Sequence, residues 1–156
     1  MSSVFALATP ATKSALCVFR VSGFGCLDVF GSIFNKKLDE PRKFYQRSLV
    51  SDGVVIDKVG VVFFRGPSSY TGEDSFEIYA HGGLAVMASI VDLFKSVGFD
   101  EAGPGEFTKR AFMNGKLSLS EAESVVDVIN ASSKDVLEVS LNFFARRFLR
   151  RGFWIL

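Results

Sequence analysis

Asp52-Gly53 lies between two apolar-rich runs, 44–50 and 54–64. An Asp-Gly pair in that setting specifies a two-residue turn, because positive φ at both positions gives the twist that joins two antiparallel strands. The hairpin fixes a sheet as the starting point of the fold, and the rest of the chain must build onto it.

Residues 4–8 read as a buried strand ending at Thr9-Pro10, and 15–21 as a second with apolar residues on both faces. Arg20 interrupts that strand on its Leu16/Val18 face. A cation there needs a carboxylate, a ligand anion or solvent at the sheet's edge. Residues 75–80 alternate Phe76, Ile78 and Ala80 against Glu77 and Tyr79. Apolar residues at 27, 30, 33 and 34 predict a helix over 24–34, followed by a charged connector from Lys36 to Lys43. Residues 66–74 form a polar loop, and His81-Gly82-Gly83 turns the chain into a helix carrying Val86, Ile90, Val91, Phe94 and Val97, with Gly98 past its end. The order β-β-α-β-β-β-α predicts an α/β or α+β sandwich.

A short helix containing Lys109, Arg110 and Phe112 follows, stopped near Gly115. Ser120 with Glu123 three residues later predicts a capping box. The helix beyond carries apolar residues at 122, 125, 126, 129, 136, 137, 141 and 144, a stripe reaching toward 148 that needs other helices to cover it. The last residues mix Arg146, Arg147, Arg150 and Arg151 with Phe148, Phe153, Trp154 and Ile155, which also admits a nucleic-acid or membrane-surface patch.

Composition narrows the function classes. With 156 residues, 48% of them hydrophobic and 22% charged, the chain can bury a real core. Lys+Arg 18 against Asp+Glu 17 leaves +1, so no global field recruits nucleic acid. Two cysteines do not make a disulfide scaffold, and one histidine does not make a multi-histidine metal centre. Apolar runs such as 61–64 fall far short of the roughly 20 residues that span a bilayer. The 17 phenylalanines point to aromatic-rich packing or an interface. The chain start lacks the basic-then-apolar order of a secretory signal, so a cytoplasmic protein is expected, with an organelle matrix as the alternative.

Known phosphate and nucleophile motifs are missing. Gly115-Lys116 is followed by Leu117 and has Arg110 where a phosphate loop needs its first glycine. Gly23-Phe24-Gly25 puts Asp28 at the third glycine of a dinucleotide fingerprint, and there is no Gly-x-Ser-x-Gly elbow. What remains is Arg20, Glu77, His81, Glu106 and Lys116, with Glu73, Asp74 and Glu77 clustered around one loop and strand. Arg20 and Glu77 could form a buried pair or a polar ligand site, and Gly82-Gly83 at a helix start could admit an anion. His81 reads as a turn residue and an isolated strand carboxylate as an exposed one.

Several segments together resemble the N-terminal region of the tRNA modification GTPase family known as MnmE or TrmE. They are Ala6-Leu7-Ala8-Thr9-Pro10, Arg20-Val21-Ser22-Gly23, Ser69-Tyr70-Thr71-Gly72-Glu73-Asp74, Glu77 with His81-Gly82-Gly83, and the most specific, 104–117, continuing into Glu121-Ala122-Glu123. The resemblance covers roughly residues 4 to 142 in order and spacing. It departs at Ala11-Thr12-Lys13-Ser14, where the family has a glycine-rich turn, at Leu84 and Gly103, and from Arg146 onward.

The resemblance implies an α+β fold, a mixed sheet with packed helices similar to the tetrahydrofolate-binding domains of glycine-cleavage T-protein relatives, plus a long C-terminal helix. It implies residues 1–117 as a folate-binding and dimerisation domain, and 118–156 as the first helix of a truncated helical domain with a basic-aromatic tail. The implied cofactor is a reduced folate, 5-formyl- or 5,10-methylene-tetrahydrofolate, contacted by Arg20, Glu77 and Lys116. The implied partners are a second copy, an MnmG-like flavoprotein and tRNA, in a full-length or split complex without a membrane. No independent catalysis or GTPase activity is expected of the chain. The alternative is an assembly fragment of the same family whose folate pocket does not function.

Overall fold

A computed structural model describes residues 2–134 together with Leu137 and Glu138. The elements are β1 (Val4–Leu7), β2 (Leu16–Ser22), α1 (Phe30–Ile33), β3 (Tyr45–Ser51), β4 (Val54–Phe64), β5 (Ser75–His81), α2 (Leu84–Ser96), β6 (Asp100–Glu101), α3 (Glu106–Met113) and α4 (Leu119–Asn130). The strands form one six-stranded sheet in the order β3-β4-β5-β2-β1-β6. Its pairs are antiparallel except β1 with β6, so the sheet is mixed and the class is α+β.

Asp52 and Gly53 both have positive φ, 47° and 80°, and join β3 to β4 as the turn chemistry requires. Register then sorts the side chains. Phe5, Val21, Phe76 and Phe63 lie opposite one another across four strands, and Leu7, Phe19, Ile78 and Val61 form the next row on the same face. Met87, Ile90, Leu93 and Phe94 of α2 cover that face, and Ile33 and Phe34 close its other end. Phenylalanine dominates this core: the Phe76 ring lies 5.0 Å from Phe30 and 6.0 Å from Phe94, both edge-on, and Phe94 lies 5.2 Å from Phe5.

Several expectations are corrected. Only Phe30–Ile33 of the segment 24–34 is α-helical. Ahead of it the backbone closes three-residue steps, Cys26 N–H to Gly23 O and Asp28 N–H to Gly25 O, in place of a helical ladder. The apolar residues that suggested a helix are nonetheless turned inward, Ile33 and Phe34 buried and Leu27 and Phe30 packed on the core. β6 has no apolar signature because its residues, Asp100 and Glu101, are exposed on a parallel edge. The capping box of α4 forms at Ser118 and Glu121, two residues before Ser120/Glu123, the same spacing occurring twice. The continuous helix toward 148 ends at Asn130, where Ala131 leaves helical geometry. Val126 and Ile129 of its stripe are exposed, and positions 136, 141 and 144 and the arginine-aromatic tail lie outside the described residues. No helix among the described residues is long and apolar enough to cross a membrane.

Removing the ring at the centre of the aromatic cluster leaves a cavity that the packed rows cannot close. Phe76→Ala is expected to lower the unfolding free energy by about 3–5 kcal/mol in urea melts, whereas Phe24→Ala, at a position 91% exposed, should change it by under about 0.5 kcal/mol.

Candidate functional site

The second face of the sheet is polar at its centre. Cross-strand pairing sets Arg20 of β2 opposite Glu77 of β5, and Glu77 opposite Val62 of β4. Both Nε and Nη2 of Arg20 donate to Oε1 of Glu77, at 2.9 and 2.8 Å, and the Tyr79 hydroxyl donates to Oε2 at 2.7 Å. Glu77 thus uses three of the roughly four hydrogen bonds a carboxylate can accept. Its side chain is 9% exposed and that of Arg20 22%. Burial, followed by the adjacent Glu77 carboxylate, raises the Tyr79 pKa far above its ordinary value, so the phenol remains a donor.

Above this pair lies a cavity of about 260 Å³. Arg20, Glu77 and Ser22 line its polar floor, Val62, Phe64, Tyr70 and Phe107 its walls, and Phe44 and Arg42 its exposed rim. The Arg20 guanidinium is 5.9 Å from the Tyr70 ring and 5.8 Å from that of Phe107. Phe44 lies across Gly60: a Cβ there would come within 2.2 Å of the ring, so the missing side chain makes the shelf on which Phe44 rests.

The loop 66–74 roofs the cavity, and α3 with the turn after it holds that loop. Thr108 bonds the Tyr70 hydroxyl at 3.0 Å, Asn114 Nδ2 donates to Thr71 O at 2.7 Å, and Lys116 Nζ donates to Pro67 O at 2.7 Å. Arg110 is the anchor. It is 4% exposed and donates to Glu73 Oε2, Glu106 Oε1 and Ser2 O, at 3.1, 3.1 and 3.0 Å. Glu73 also accepts from Ser22 Oγ at 2.9 Å, and Ser22 lies 2.6 Å from Thr71 Oγ1, so the polar network runs from α3 under the loop to β2.

The structure therefore brings Arg20 and Glu77 together, while Lys116 does not line the cavity and bonds the outer loop at Pro67. Glu73, Asp74 and Glu77 do not converge: Glu73 faces Arg110, Asp74 accepts from Gly66 N–H at 2.8 Å, and Glu77 faces Arg20. Glu106 pairs with Arg110, whose hydrogen bond holds its carboxyl below the usual range. His81 is an exposed strand-end residue, its Nδ1 2.8 Å from Asp57 Oδ1. The residues that sequence reading missed are Tyr79 and Ser22, each two positions along a strand from a named residue and so on the same face, and Arg110, Asn114 and Arg42, which no strand period reveals. Among the described residues no group of His, Cys, Asp and Glu side chains is arranged to hold a metal ion. Cys26 is buried, and burial pushes its thiol up to about 12, which leaves it an inert core residue.

Two predictions follow from these contacts. Arg110→Met keeps the stem but strands two carboxylates, and is expected to cost about 3–5 kcal/mol of stability, with faster proteolysis within 66–74 as the local readout. Asp57 gains from the His81 main-chain and ring contacts more than burial takes away, so its carboxyl titrates below its ordinary 3.8. A depressed carboxyl pKa stabilises the fold above that value and forfeits the contribution as pH falls through it. The gap in urea midpoint between wild type and Asp57→Asn should be fully developed above about pH 5 and shrink below about pH 4.

Comparison with known proteins assigns the chain. A family model described as "GTP-binding protein TrmE N-terminus" matches residues 3–116. The tRNA modification GTPase MnmE of Pseudothermotoga lettingae is 43% identical over 139 residues, covering 88% of this chain and 31% of the relative. Those of Thermotoga petrophila and Borrelia recurrentis are 41% and 39% identical, over 90% and 89% of this chain and 32% and 31% of theirs. The chain spans about a third of the length of the relatives it matches. It belongs to the TrmE N-terminal family, the N-terminal part of tRNA modification GTPases of the MnmE type.

Proposed function

We propose that this domain binds a reduced folate, 5-formyl- or 5,10-methylene-tetrahydrofolate, in the cavity over β2, β4 and β5, and forms a homodimer. In this reading residues 1–117 are the folate and dimerisation unit, similar in fold to the tetrahydrofolate-binding domains of T-protein relatives, and residues 118–156 begin a helical domain. The domain supplies the one-carbon carrier for modification of a tRNA wobble uridine, carried out with a GTPase and an MnmG-like flavoprotein. The exposed Val54 and Val55 at the β3–β4 hairpin are apolar surface that a second copy would cover.

The observation that carries the reading is a nine-tenths buried carboxylate, Glu77, in the floor of an aromatic-walled cavity. A pterin presents adjacent N–H donors on its amino-pyrimidinone edge, and a carboxylate accepts two such bonds side by side. Tyr79 keeps one oxygen oriented, and the guanidinium on the other can turn from Glu77 toward ligand oxygens while remaining between Tyr70 and Phe107. Lys116 acts on the ligand through the loop it holds at Pro67 or as a charge that turns inward.

Calorimetric titration of 5-formyl-tetrahydrofolate into the chain should give saturable binding near one site per chain. Glu77→Gln removes the charged acceptor, at a cost of about 1.5–3 kcal/mol, and should weaken binding roughly ten-fold or more. Equal affinity in that variant would overturn the Glu77 assignment, and no heat with folded wild type would leave the assembly-fragment reading in its place, since Arg20 and Glu77 already satisfy each other.

A further inference from the structure

Arg42 stands out among the cavity-lining residues on three counts. Its charge has no carboxylate within ion-pair distance among the described residues, and its neighbour Glu40 is taken by Lys43 at 2.8 Å. Its guanidinium spends one of five N–H donors, on the Ser68 carbonyl at 2.9 Å, which links the connector before β3 to the roof loop. Its backbone sits at φ +62°, in the left-handed region that glycine and asparagine occupy far more readily than a long side chain does. The conformation is held by its N–H on Phe63 O at 2.8 Å. At the exposed rim, this arginine therefore has N–H donors to spare for a ligand.

The charges lining the cavity are Arg20, Arg42 and Glu77, so the lining carries one surplus positive charge. Arg20 is neutralised on the floor and Arg42 is not. The cavity thus runs from a hydrogen-bonding floor, between aromatic walls, to a cationic rim. That sequence matches a ligand with a polar heterocyclic head, a flat middle and an anionic end. Resting on the folate reading above, we propose that Arg42 is the specificity residue for the ligand's carboxylate-bearing tail, selecting glutamate-conjugated reduced pterins over those without the tail. Its fork pairs with a carboxylate side by side, and its bond to Ser68 O ties that fork to the roof loop.

The test compares two probes, 5-formyl-tetrahydrofolate and the tail-less 6,7-dimethyltetrahydropterin, on wild type, Arg42→Asn and Arg42→Lys, at low and high salt. Asparagine suits the left-handed backbone, so Arg42→Asn should melt at or above the wild-type temperature. It should lose roughly ten-fold in affinity for the tailed probe, together with most of the salt dependence, and stay within about two-fold for the tail-less one. Arg42→Lys should recover part of the loss. Equal affinities of Arg42→Asn and wild type for the tailed probe overturn the proposal and leave the folate reading standing. Equal loss for both probes, or a destabilised Arg42→Asn, overturns it in favour of a purely structural Ser68 latch. Wild type that binds neither probe overturns the folate reading and this inference with it.

Discussion

The register of β2 against β5 sets both faces of the domain at once. With Arg20 opposite Glu77, Val21 falls opposite Phe76 and Phe19 opposite Ile78, so one face is a dry aromatic core and the other carries a compensated ion pair. A slip of β5 by one residue would send Glu77 into the cluster around Phe94, expose Phe76 and take Glu77 away from Arg20. An unpaired carboxylate in that core would cost far more than any strand pairing returns. The ion pair is therefore a register lock, and its cross-strand geometry is the source of the cavity's polar floor.

The roof depends on a second buried ion, Arg110. A loop as polar as 66–74 has little apolar surface with which to hold itself down. It is instead tied residue by residue to α3 and the following turn, through Tyr70, Thr71, Glu73 and Pro67. The two densest stretches of family-like sequence thus lie together in space: 69–74 is the roof and 104–117 its support. Tyr70 and Phe107 from these stretches also reach the Arg20 guanidinium.

Much of the architecture was legible because it rests on period-two alternation and one strong turn. The strands around Asp52-Gly53 and the split of Phe76, Ile78 and Ala80 from Glu77 and Tyr79 follow directly from the residues. The pairing of Arg20 with Glu77 was open as one of several partners, since strand order is a long-range property that local pattern does not carry. Apolar spacing misled over 24–34, where residues that are buried at helical intervals arrive there by turns. Nothing local in the sequence distinguishes Arg110 from Lys109, its neighbour with an exposed ammonium. Arg42 was invisible for the same reason: its backbone conformation is a property of the connector's path past Phe63.

The cavity draws its lining from β2, the connector before β3, β4, the loop 66–74, β5 and α3, segments spread from residue 20 to residue 107. No subset of these encloses it. The space therefore does not exist in any partly folded form of the chain, and a compound lodged there binds the complete fold alone. By mass action such a compound lengthens the life of the whole domain, with the stabilisation growing as the logarithm of its concentration. The supply of ligand in the cell would then govern how much of this protein survives proteolysis, quite apart from anything the bound molecule does chemically.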